Sequence, residues 1–340
     1  MRAVFRVDSS ISIGQGHFVR CLTLANELRR LGGEVSFITA RSEGSISFLA
    51  ERRGFRVCYL PGRDLEEDAL QASEFLRQGA IDWLVVDHYG LDQAWEVAQR
   101  PFCRHLMVID DLANRPHACD LLLDQNLVDE AAVRYDRWVP KDCLRLLGPP
   151  YALLRPEFRR ERESLGQRTG RLRRVLIFYG GGDPSNETEK AIRAFSRLPD
   201  RELEAAVVVG AFHPKREALQ RLCREDQRLR LHCQTSDMAG LMARADLSLG
   251  AGGSATWERC CLGLPALVSI VADNQAALTE AVAKQGAILN LGGCEALSSE
   301  EIERAISRLS PSDLAEMSAR GMALVDGSGV ERVVSAMASL

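Results

Sequence analysis

Two successive series of short, continuously apolar segments alternate with segments of helical periodicity, and this alternation constrains the fold more than any other feature of the chain. Continuous apolar runs are typical of parallel strands that are covered by helices on both faces. In the first half, strands are predicted at residues 3–7, 35–39, 57–60, 83–87, 106–109 and 121–123, with helices at 16–31, 45–53, 65–77 and 92–99. In the second half, strands are predicted at residues 175–179, 205–209, 229–232, 247–249, 266–271 and 287–289. The pattern therefore predicts two Rossmann-like, doubly wound α/β domains.

The domain boundaries follow from the 340-residue length and from one charged segment. At roughly 150 residues per domain the length favours two domains. Between residues 155 and 174, 11 of 20 residues are charged and eight are arginine, which is typical of an exposed segment. We predict an N-terminal domain over 1–155, a linker over 156–173, a C-terminal domain over 174–325, and a helical tail over 326–340 that packs back on the other domain.

Composition excludes several functional classes. A net charge of −4 gives no basic excess for binding nucleic acid. No apolar run approaches the roughly 20 residues of a membrane span, and the chain opens on a strand-like segment where a signal peptide would place its apolar core. We therefore expect a cytoplasmic protein without integral membrane association; the sequence identifies no protein partner.

The cysteine and histidine patterns argue against a metal site. The ten cysteines contain no CxxC pair, and several lie in apolar segments, as reduced thiols in a core do. The six histidines contain no HxxxH pair. We predict no metal and no cofactor.

The first unusual strand-to-helix junction is DSSISIGQGH, over residues 8–17. Gly14 and Gly16 would let backbone amides approach an anion at a helix start, as in dinucleotide-binding loops. Val19 stands where the third glycine of GxGxxG is required, so an NAD-dependent oxidoreductase is disfavoured.

His17 is the most informative residue of that junction. In a first helical turn the positive end of the helix dipole favours a neutral imidazole, which can accept a proton as a general base. The alternative is a histidine that only caps or packs at the turn, and position alone does not decide between them.

Two further junctions lie in the second half. Gly180–Gly182 precede the helix start at DPSNE, where backbone N–H groups could bind a bulky anion. In GAGGSATWE, over residues 250–258, Ser254 is a predicted helix cap, and Glu258 lies on the same helical face, placed to bind both hydroxyls of a ribose. For each junction an ordinary capped turn is the alternative. The segment ADNQA, over 272–276, offers Asn274 and Gln275 to the same region.

Five segments form a recognisable set: FRVDSSISIGQGH at 5–17, VDHYG at 86–90, IDD at 109–111, CDLLLDQN at 119–126 and YALLRPEF at 151–158. Together these motifs resemble the UDP-2,4-diacetamido-2,4,6-trideoxy-β-L-altropyranose hydrolase family of pseudaminic acid biosynthesis, from residue 2 to about 290. The C-terminal GAGGSATWE and DNQ segments also resemble the nucleotide-sugar half of MurG-like GT-B glycosyltransferases.

This resemblance implies a GT-B architecture with an interdomain cleft that binds a UDP-sugar and releases UDP. His17 matches the catalytic histidine of the family, with Tyr89 and Arg155 matching its DHYG and YALxR residues. The implied substrate contacts are Asp8, Gly14, Gly16, Tyr89, Arg155, Gly181, Gly182, Ser254, Glu258, Asn274 and Gln275. His17 would deprotonate the water that attacks the anomeric carbon with inversion, without a metal.

Two other functions remain open on the sequence. A GT-B glycosyltransferase would transfer the same kind of sugar to an acceptor hydroxyl. A nucleotide-sugar-binding protein would keep the three junctions without needing a base. Release of UDP from a UDP-sugar without an acceptor distinguishes the hydrolase from both.

Overall fold

The structure is a computed structural model that describes residues 1–10, 13–61, 64–166, 168 and 170–340. The chain divides into two compact units. The first comprises Met1–Leu154 together with Ser328–Leu340, and the second comprises Arg155–Gly327.

The first unit is built on a parallel sheet, which in the described residues has seven strands. The strands are β1 (Arg2–Val7), β2 (Glu34–Ala40), β3 (Arg56–Leu60), β4 (Ile81–Asp87), β5 (Cys103–Ile109), β6 (Leu121–Asp124) and β7 (Leu144–Leu147). The helices that follow them are α1 (Gly16–Arg30), α2 (Phe48–Arg52), α3 (Leu65–Leu76), α4 (Gln93–Gln99) and α5 (Ala131–Arg134). The strand order is β3-β2-β1-β4-β5-β6-β7, so the direction of winding reverses between β1 and β4.

The second unit repeats this scheme with a parallel sheet of six strands in the described residues. Its strands are β8 (Arg174–Phe178), β9 (Glu204–Val209), β10 (Leu229–Cys233), β11 (Leu247–Ala251), β12 (Ala266–Ile270) and β13 (Leu289–Gly293). Its helices are α6 (Pro156–Ser164), α7 (Glu187–Arg197), α8 (Arg216–Glu225), α9 (Met238–Arg244), α10 (Ala255–Cys261), α11 (Ala276–Lys284), α12 (Ser299–Arg308) and α13 (Pro311–Leu324). The order β10-β9-β8-β11-β12-β13 reverses between β8 and β11.

These reversals matter because open α/β sheets bind ligands beyond the carboxyl ends of their strands at the point where the winding changes direction. The predicted loop at residues 8–17 follows β1. The predicted glycine segments at 180–182 and 250–253 follow β8 and β11. Within each unit the predicted junctions therefore lie at the reversal.

The central strands form because their middle residues are mostly apolar and are buried on both faces, as in β1 (Ala3–Val7) and β4 (Trp83–Val86). Val4 and Phe5 alternate across β1 into two separate cores, and Phe5 stacks on Phe37 of β2 with ring centroids 5.3 Å apart. Helix α1 contributes Phe18 and Leu24 to the Phe5 side of the sheet.

The strand predictions differ from the structure at two places. Strand β7 was missed, because Leu144–Leu147 is a short edge strand that contains Arg145. The strand predicted at 287–289 instead begins at Leu289 and runs to Gly293. Ala287 and Ile288, whose apolar character gave the prediction, are buried just before the strand begins.

The segment predicted as a linker over 156–173 folds as part of the second unit. It begins with α6, whose Phe158 is fully buried. Arg162 donates to the carbonyls of Cys261 (2.7 Å) and Met322 (3.0 Å), so its charge is directed inward onto backbone oxygens. The predicted boundary therefore moves to Leu154–Arg155.

The C-terminal tail returns to the first unit as α14 (Gly329–Ser339). Val330, Val333 and Met337 join the same buried cluster as Phe18 of α1. A side chain at Gly329 would meet the carbonyl oxygen of Ala152 at 2.2 Å, so glycine is required where α14 begins. No helix in the described ranges has the length and apolar character needed to cross a membrane.

Candidate active site

Asp8, directly after β1, is bound on all sides by the protein itself. Its carboxylate accepts hydrogen bonds from Arg6 (2.5 Å) and from the backbone N–H of Ala40 (2.7 Å), and His88 Nε2 lies 3.2 Å away. Burial alone would raise the pKa of Asp8, but the bond from His88 and the charge of Arg6 outweigh it and hold the pKa well below its ordinary value. These bonds use the carboxylate to join the ends of β1, β2 and β4, and a substrate contact by Asp8 stays a prediction.

The loop that follows makes a sharp turn into α1. Gly14 has φ +83°, a region that favours glycine, and its N–H donates to the Ser10 carbonyl at 3.0 Å. No atom lies within 4 Å of the position that a Gly14 side chain would take. Gly16 is the first residue of α1, which places His17 in its first turn. Both glycines remain predicted substrate contacts.

His17 is paired with a buried carboxylate that the sequence analysis did not select. Its Nδ1 lies 2.6 Å from Oδ1 of Asp87, the last residue of β4, which is 1% exposed. Burial would raise the pKa of Asp87, but Arg20 and His17 outweigh it and hold the pKa far below its ordinary value. An ionised Asp87 only accepts, so Nδ1 carries a hydrogen, and in the neutral imidazole Nε2 is then the nitrogen with the lone pair.

Arg20 holds this carboxylate from the next turn of α1. Its Nε donates to Oδ2 of Asp87 at 2.6 Å and its Nη2 donates to Oδ1 at 2.7 Å, a bidentate pair. The same Nη2 lies 3.0 Å from Nδ1 of His17. If Arg20 donated to Nδ1, the lone pair of that nitrogen would face a lone pair of Asp87 only 2.6 Å away. Arg20 and His17 therefore both donate to Asp87.

Asp111 links Arg20 to Tyr89. Its Oδ2 accepts from Nη1 of Arg20 at 3.2 Å, and its Oδ1 accepts from the Tyr89 hydroxyl at 2.8 Å. The Tyr89 ring stands perpendicular to the His17 ring, with centroids 4.6 Å apart. The structure thus brings the two predicted residues His17 and Tyr89 together.

The residues that the sequence analysis missed, Asp87, Arg20 and Asp111, have one recognisable signal. Asp87 and Asp111 follow the apolar runs of neighbouring strands, within the VDHYG and IDD motifs. Acidic residues at adjacent strand ends are candidates for one site, but their partner Arg20 is evident only once α1 is placed.

A second buried carboxyl pair lies behind Asp111 and shares one phenol. The Tyr135 hydroxyl lies 3.1 Å from Oδ2 of Asp110 and 3.0 Å from Oδ2 of Asp124. A phenol donates only one hydrogen, so one carboxyl must be protonated to complete the second bond. Asp110 already accepts from Arg115 at 2.8 Å, whereas burial raises the pKa of Asp124 to about 7. Asp124 is therefore the carboxyl that carries the proton below about pH 7.

Asp124→Asn tests this assignment through the pH dependence of stability. The folded protein holds a proton on Asp124 that the unfolded chain releases above its ordinary pKa of 3.8, so this group makes stability fall as pH rises from about 4 to about 7. An amide mimics the protonated carboxyl. We expect the variant to gain about 3 kcal/mol of stability relative to the parent protein between pH 5 and pH 8, in urea unfolding.

Asp120→Asn is the matched control for that experiment. Partial burial would raise the pKa of Asp120, but Arg100 outweighs burial and the pKa is lowered. The pH dependence that Asp120 gives to the free energy of unfolding therefore lies below about pH 4. The difference between this variant and the parent protein should stay constant from pH 5 to pH 8. An equally constant difference for Asp124→Asn would contradict the proton assignment.

The junction after β8 is occupied by a carboxylate of the protein. Asp183 is buried and accepts from the N–H groups of Glu187 (3.0 Å) and Thr188 (2.7 Å) at the start of α7. A carboxylate there satisfies the donors and the positive helix end that an anion would use. The anion site predicted at this helix start is therefore corrected.

Two glycines of this junction remain predicted contacts. The carbonyl of Gly181 accepts from the N–H of Gly210 at 3.0 Å, which anchors the loop. No atom lies within 4 Å of a side-chain position at Gly182.

The junction after β11 assembles several of the predicted residues. Ser254 is exposed and makes no capping hydrogen bond to α10. A side chain at Gly252 would meet Cβ of Gln275 at 3.4 Å, and one at Gly253 would meet its Nε2 at 3.7 Å. Asn274 lies on the same short turn, Asp273–Gln275. The structure therefore brings the glycine segment and the Asn274–Gln275 pair together.

Glu258 and Arg155 are partners of one another. Nη2 of Arg155 lies 3.5 Å from Oε1 of Glu258, and its Nη1 lies 3.1 Å from Oε1 of Glu157. Burial raises the pKa of Glu258 against the effect of Arg155. The two side chains are 23% and 17% exposed for Arg155 and Glu258, so both reach solvent while paired. Among the residues that the structure describes, no group of three or more His, Cys, Asp and Glu side chains is arranged to hold a metal ion.

Curated proteins are similar to this chain in sequence. The spore coat polysaccharide biosynthesis protein SpsG of Bacillus subtilis is 34% identical over 196 residues, which cover 57% of this chain and 58% of SpsG. The uncharacterized protein MJ1062 of Methanocaldococcus jannaschii is 27% identical over 276 residues, 79% of this chain and 55% of that protein. The chain thus spans little more than half the length of these two relatives. No protein-family model matches it.

A third relative is covered almost completely. The UDP-2,4-diacetamido-2,4,6-trideoxy-β-L-altropyranose hydrolase of Campylobacter jejuni is 26% identical over 288 residues, which cover 84% of this chain and 97% of the hydrolase.

Solved structures share the fold along the whole chain. MurG of Acinetobacter baumannii superposes with a TM-score of 0.71 at 14% identity, covering 100% of both chains. The UDP-GlcNAc 2-epimerase of Neisseria meningitidis, solved with UDP-GlcNAc, superposes with a TM-score of 0.64 at 14% identity, again over 100% of both chains. The predicted class of two Rossmann-like α/β units of the GT-B type is confirmed, as is the predicted resemblance to the UDP-sugar hydrolase.

Proposed function

We propose that this protein is an enzyme that hydrolyses a UDP-sugar. The observation that carries the proposal is the His17–Asp87 pair, which leaves Nε2 of a histidine at a ligand-binding strand end able to accept a proton. The likeness to the Campylobacter hydrolase over 84% of the chain supports the same class of substrate.

In the proposed reaction, Nε2 of His17 accepts a proton from water as the water oxygen attacks the anomeric carbon. The bond from that carbon to the diphosphate oxygen breaks, and its electron pair leaves with UDP. Asp87 stabilises the imidazolium that forms and keeps the ring oriented, as carboxylates do in other His–Asp pairs. Attack opposite the leaving group inverts the anomeric configuration.

The second unit is proposed to bind the nucleotide. Glu258 would accept hydrogen bonds from the ribose hydroxyls, and the glycine segment at 250–253 with Ser254 would face the diphosphate. Gln275 and Asn274 lie beside that segment and would contact the same ligand. Tyr89, held by Asp111, would contact the sugar from the first unit.

The proposed substrate is UDP-2,4-diacetamido-2,4,6-trideoxy-β-L-altropyranose, and the products are UDP and 2,4-diacetamido-2,4,6-trideoxy-L-altrose. This reaction would make the protein a step in pseudaminic acid biosynthesis. The specific sugar rests on the resemblance to the Campylobacter protein.

Incubation of the purified protein with a panel of UDP-sugars, without any acceptor, tests the proposal. We expect stoichiometric release of UDP from the trideoxy sugar nucleotide and slower release from UDP-GlcNAc. Release only after an acceptor hydroxyl is added would favour a glycosyltransferase. Tight binding without turnover would favour a nucleotide-sugar-binding protein.

Glu258→Gln tests the assignment of the ribose contact. We expect the dissociation constant for UDP to rise about tenfold, because hydrogen bonds to a charged acceptor contribute roughly 1.5–3 kcal/mol. The variant should also lose the preference for UDP over 2′-deoxy-UDP, measured by calorimetric titration. Glu157→Gln removes the other carboxylate partner of Arg155 and is the control. A preference that survives in Glu258→Gln, or that is lost equally in Glu157→Gln, would contradict the assignment.

A further inference from the structure

Arg259 of α10 is a buried guanidinium that no carboxylate of the described residues contacts directly, although the charge of neighbouring Glu258 acts on it from a distance. Arg259 is 1% exposed, and among the described residues no ion pair joins it to a carboxylate. Its Nη2 donates to the carbonyl of Ala251 at 2.8 Å and lies 2.9 Å from Oγ1 of Thr256, whereas Nε and Nη1 have no hydrogen-bond partner in the described part of the chain. Burial lowers the pKa of Arg259 from its very high ordinary value, but an arginine remains charged in proteins.

A buried charge of this kind is costly to retain. Removing a guanidinium from water is compensated only when a counter-ion and a full set of acceptors replace the water. Arg228 of the same unit shows the usual solution, since Asp226 accepts from its Nη2 at 2.8 Å and the carbonyl of Asp200 accepts from its Nη1 at 2.8 Å. Arg259 has no such direct partner among the described residues, and Glu258, which acts on it from a distance, is already paired with Arg155.

The guanidinium lies directly beneath the glycine segment. A side chain at Gly250 would meet Nη1 of Arg259 at 2.5 Å and the carbonyl oxygen of Phe178 at 2.6 Å. A side chain at Gly252 would meet Oγ1 of Thr279 at 2.0 Å. The glycines are therefore required by the side chains packed against them, and Arg259 lies against the backbone of Gly250 and Ala251.

The charge of Arg155 does not fill the same role. Two carboxylates, Glu157 at 3.1 Å and Glu258 at 3.5 Å, pair with this one guanidinium. Arg155 is a predicted substrate contact, but in the structure its charge is already matched by two carboxylates. At the junction after β11, the positive charge that no described carboxylate contacts directly is that of Arg259, on which Glu258 acts only from a distance.

We propose that Arg259 is an electrostatic positioning residue that favours binding of a diphosphate on the outer face of residues 250–254, without touching it. The inference rests on the proposed function, since it takes the ligand to be a nucleoside diphosphate. It goes further by assigning the compensating charge to a residue that lies outside the motifs. At an effective dielectric of about 20, a unit charge several ångströms away contributes enough to change affinity by tenfold or more.

Calorimetric titration of Arg259→Met with UDP and with uridine tests the inference. Methionine fills similar space without charge, and replacing a buried charge by an apolar side chain is often tolerated. We expect UDP affinity to fall at least about tenfold and uridine affinity to change less than about twofold. Arg228→Met is the control and should leave both affinities unchanged, because its charge is matched by Asp226.

Arg259→Lys is a second variant that keeps the positive charge. If Arg259→Met does not fold, the lysine variant tests the inference by itself. We expect it to retain the preference for UDP over uridine. Equal losses for UDP and uridine in Arg259→Met, an unchanged UDP affinity in Arg259→Met, or a lost preference in Arg259→Lys would overturn the inference. A parent protein that binds neither ligand would instead contradict the proposed function itself.

Discussion

Replacement of His17 by glutamine lowers the rate constant of UDP release by roughly 10²- to 10⁴-fold, the usual contribution of a general base. The amide has no nitrogen lone pair that accepts a proton from the attacking water, whereas it can still donate toward Asp87. The dissociation constant for UDP should change less than about threefold, since the proposed nucleotide contacts belong to the other unit. Single-turnover assays and UDP titrations separate the two effects.

His105→Gln is the matched control for that experiment. His105 stacks on Trp83 with centroids 4.9 Å apart and lies near the start of β5, away from the strand ends that carry the candidate site. We expect turnover close to that of the parent protein. Retained turnover in His17→Gln would refute the assignment of His17 as the base.

Asp87→Asn is the second change with a large expected effect. An amide at residue 87 can present its NH₂ group to Nδ1 of His17, which favours the tautomer with the hydrogen on Nε2 and so removes the proton acceptor. In serine-protease triads the same exchange lowers turnover by roughly 10⁴-fold, and we expect a loss of 10³-fold or more here. Nitrogen-15 NMR of labelled histidine should show the change of tautomer directly.

The double variant distinguishes positioning of the base from general destabilisation. If Asp87 acts through His17, adding Asp87→Asn to His17→Gln should cost less than about threefold more, because residues that act as a unit are not additive. Thermal unfolding of each variant should be measured alongside, since Arg20 loses its bidentate partner. The proposed pairing would be contradicted if the turnover losses of the two single variants multiplied in the double variant. An unchanged histidine tautomer in Asp87→Asn would contradict it as well.

The fold was largely predictable because its strands carry an unambiguous local signal. Runs such as Val4–Phe5 are apolar on both faces, so they admit a buried parallel strand and little else. The same reasoning failed at Leu144–Leu147, where an edge strand includes a partly exposed arginine. Burial on one side only leaves a weaker pattern in the sequence.

The charged segment at 156–173 shows why composition misled the domain analysis. The eight arginines between residues 155 and 174 predicted an exposed linker. Arg162 instead donates to the carbonyls at the ends of α10 and α13, and Arg168 donates to the carbonyls of Leu262 and Met242. Whether an arginine points to solvent or to orphan helix carbonyls depends on tertiary placement, which charge counting does not register.

In the candidate site, motifs identified some residues, whereas the partners of others became evident only in the structure. His17 and Tyr89 were identified from motifs, and the fold brings their rings into contact. The role of Asp183 was missed, because a carboxylate that caps its own helix and a helix start that awaits an anion have the same glycine-rich sequence. The counter-charges of Arg155 were also invisible before the structure paired them.

The central claim, that water attacks the anomeric carbon of a UDP-sugar with His17 as the base, is tested most directly by hydrolysis in H₂¹⁸O. Mass spectrometry of the released UDP and early NMR spectra of the sugar report which bond breaks and with which stereochemistry. We predict UDP without ¹⁸O and a first-formed sugar of inverted anomeric configuration. UDP that carries one ¹⁸O atom, or a sugar of retained configuration, would contradict the account.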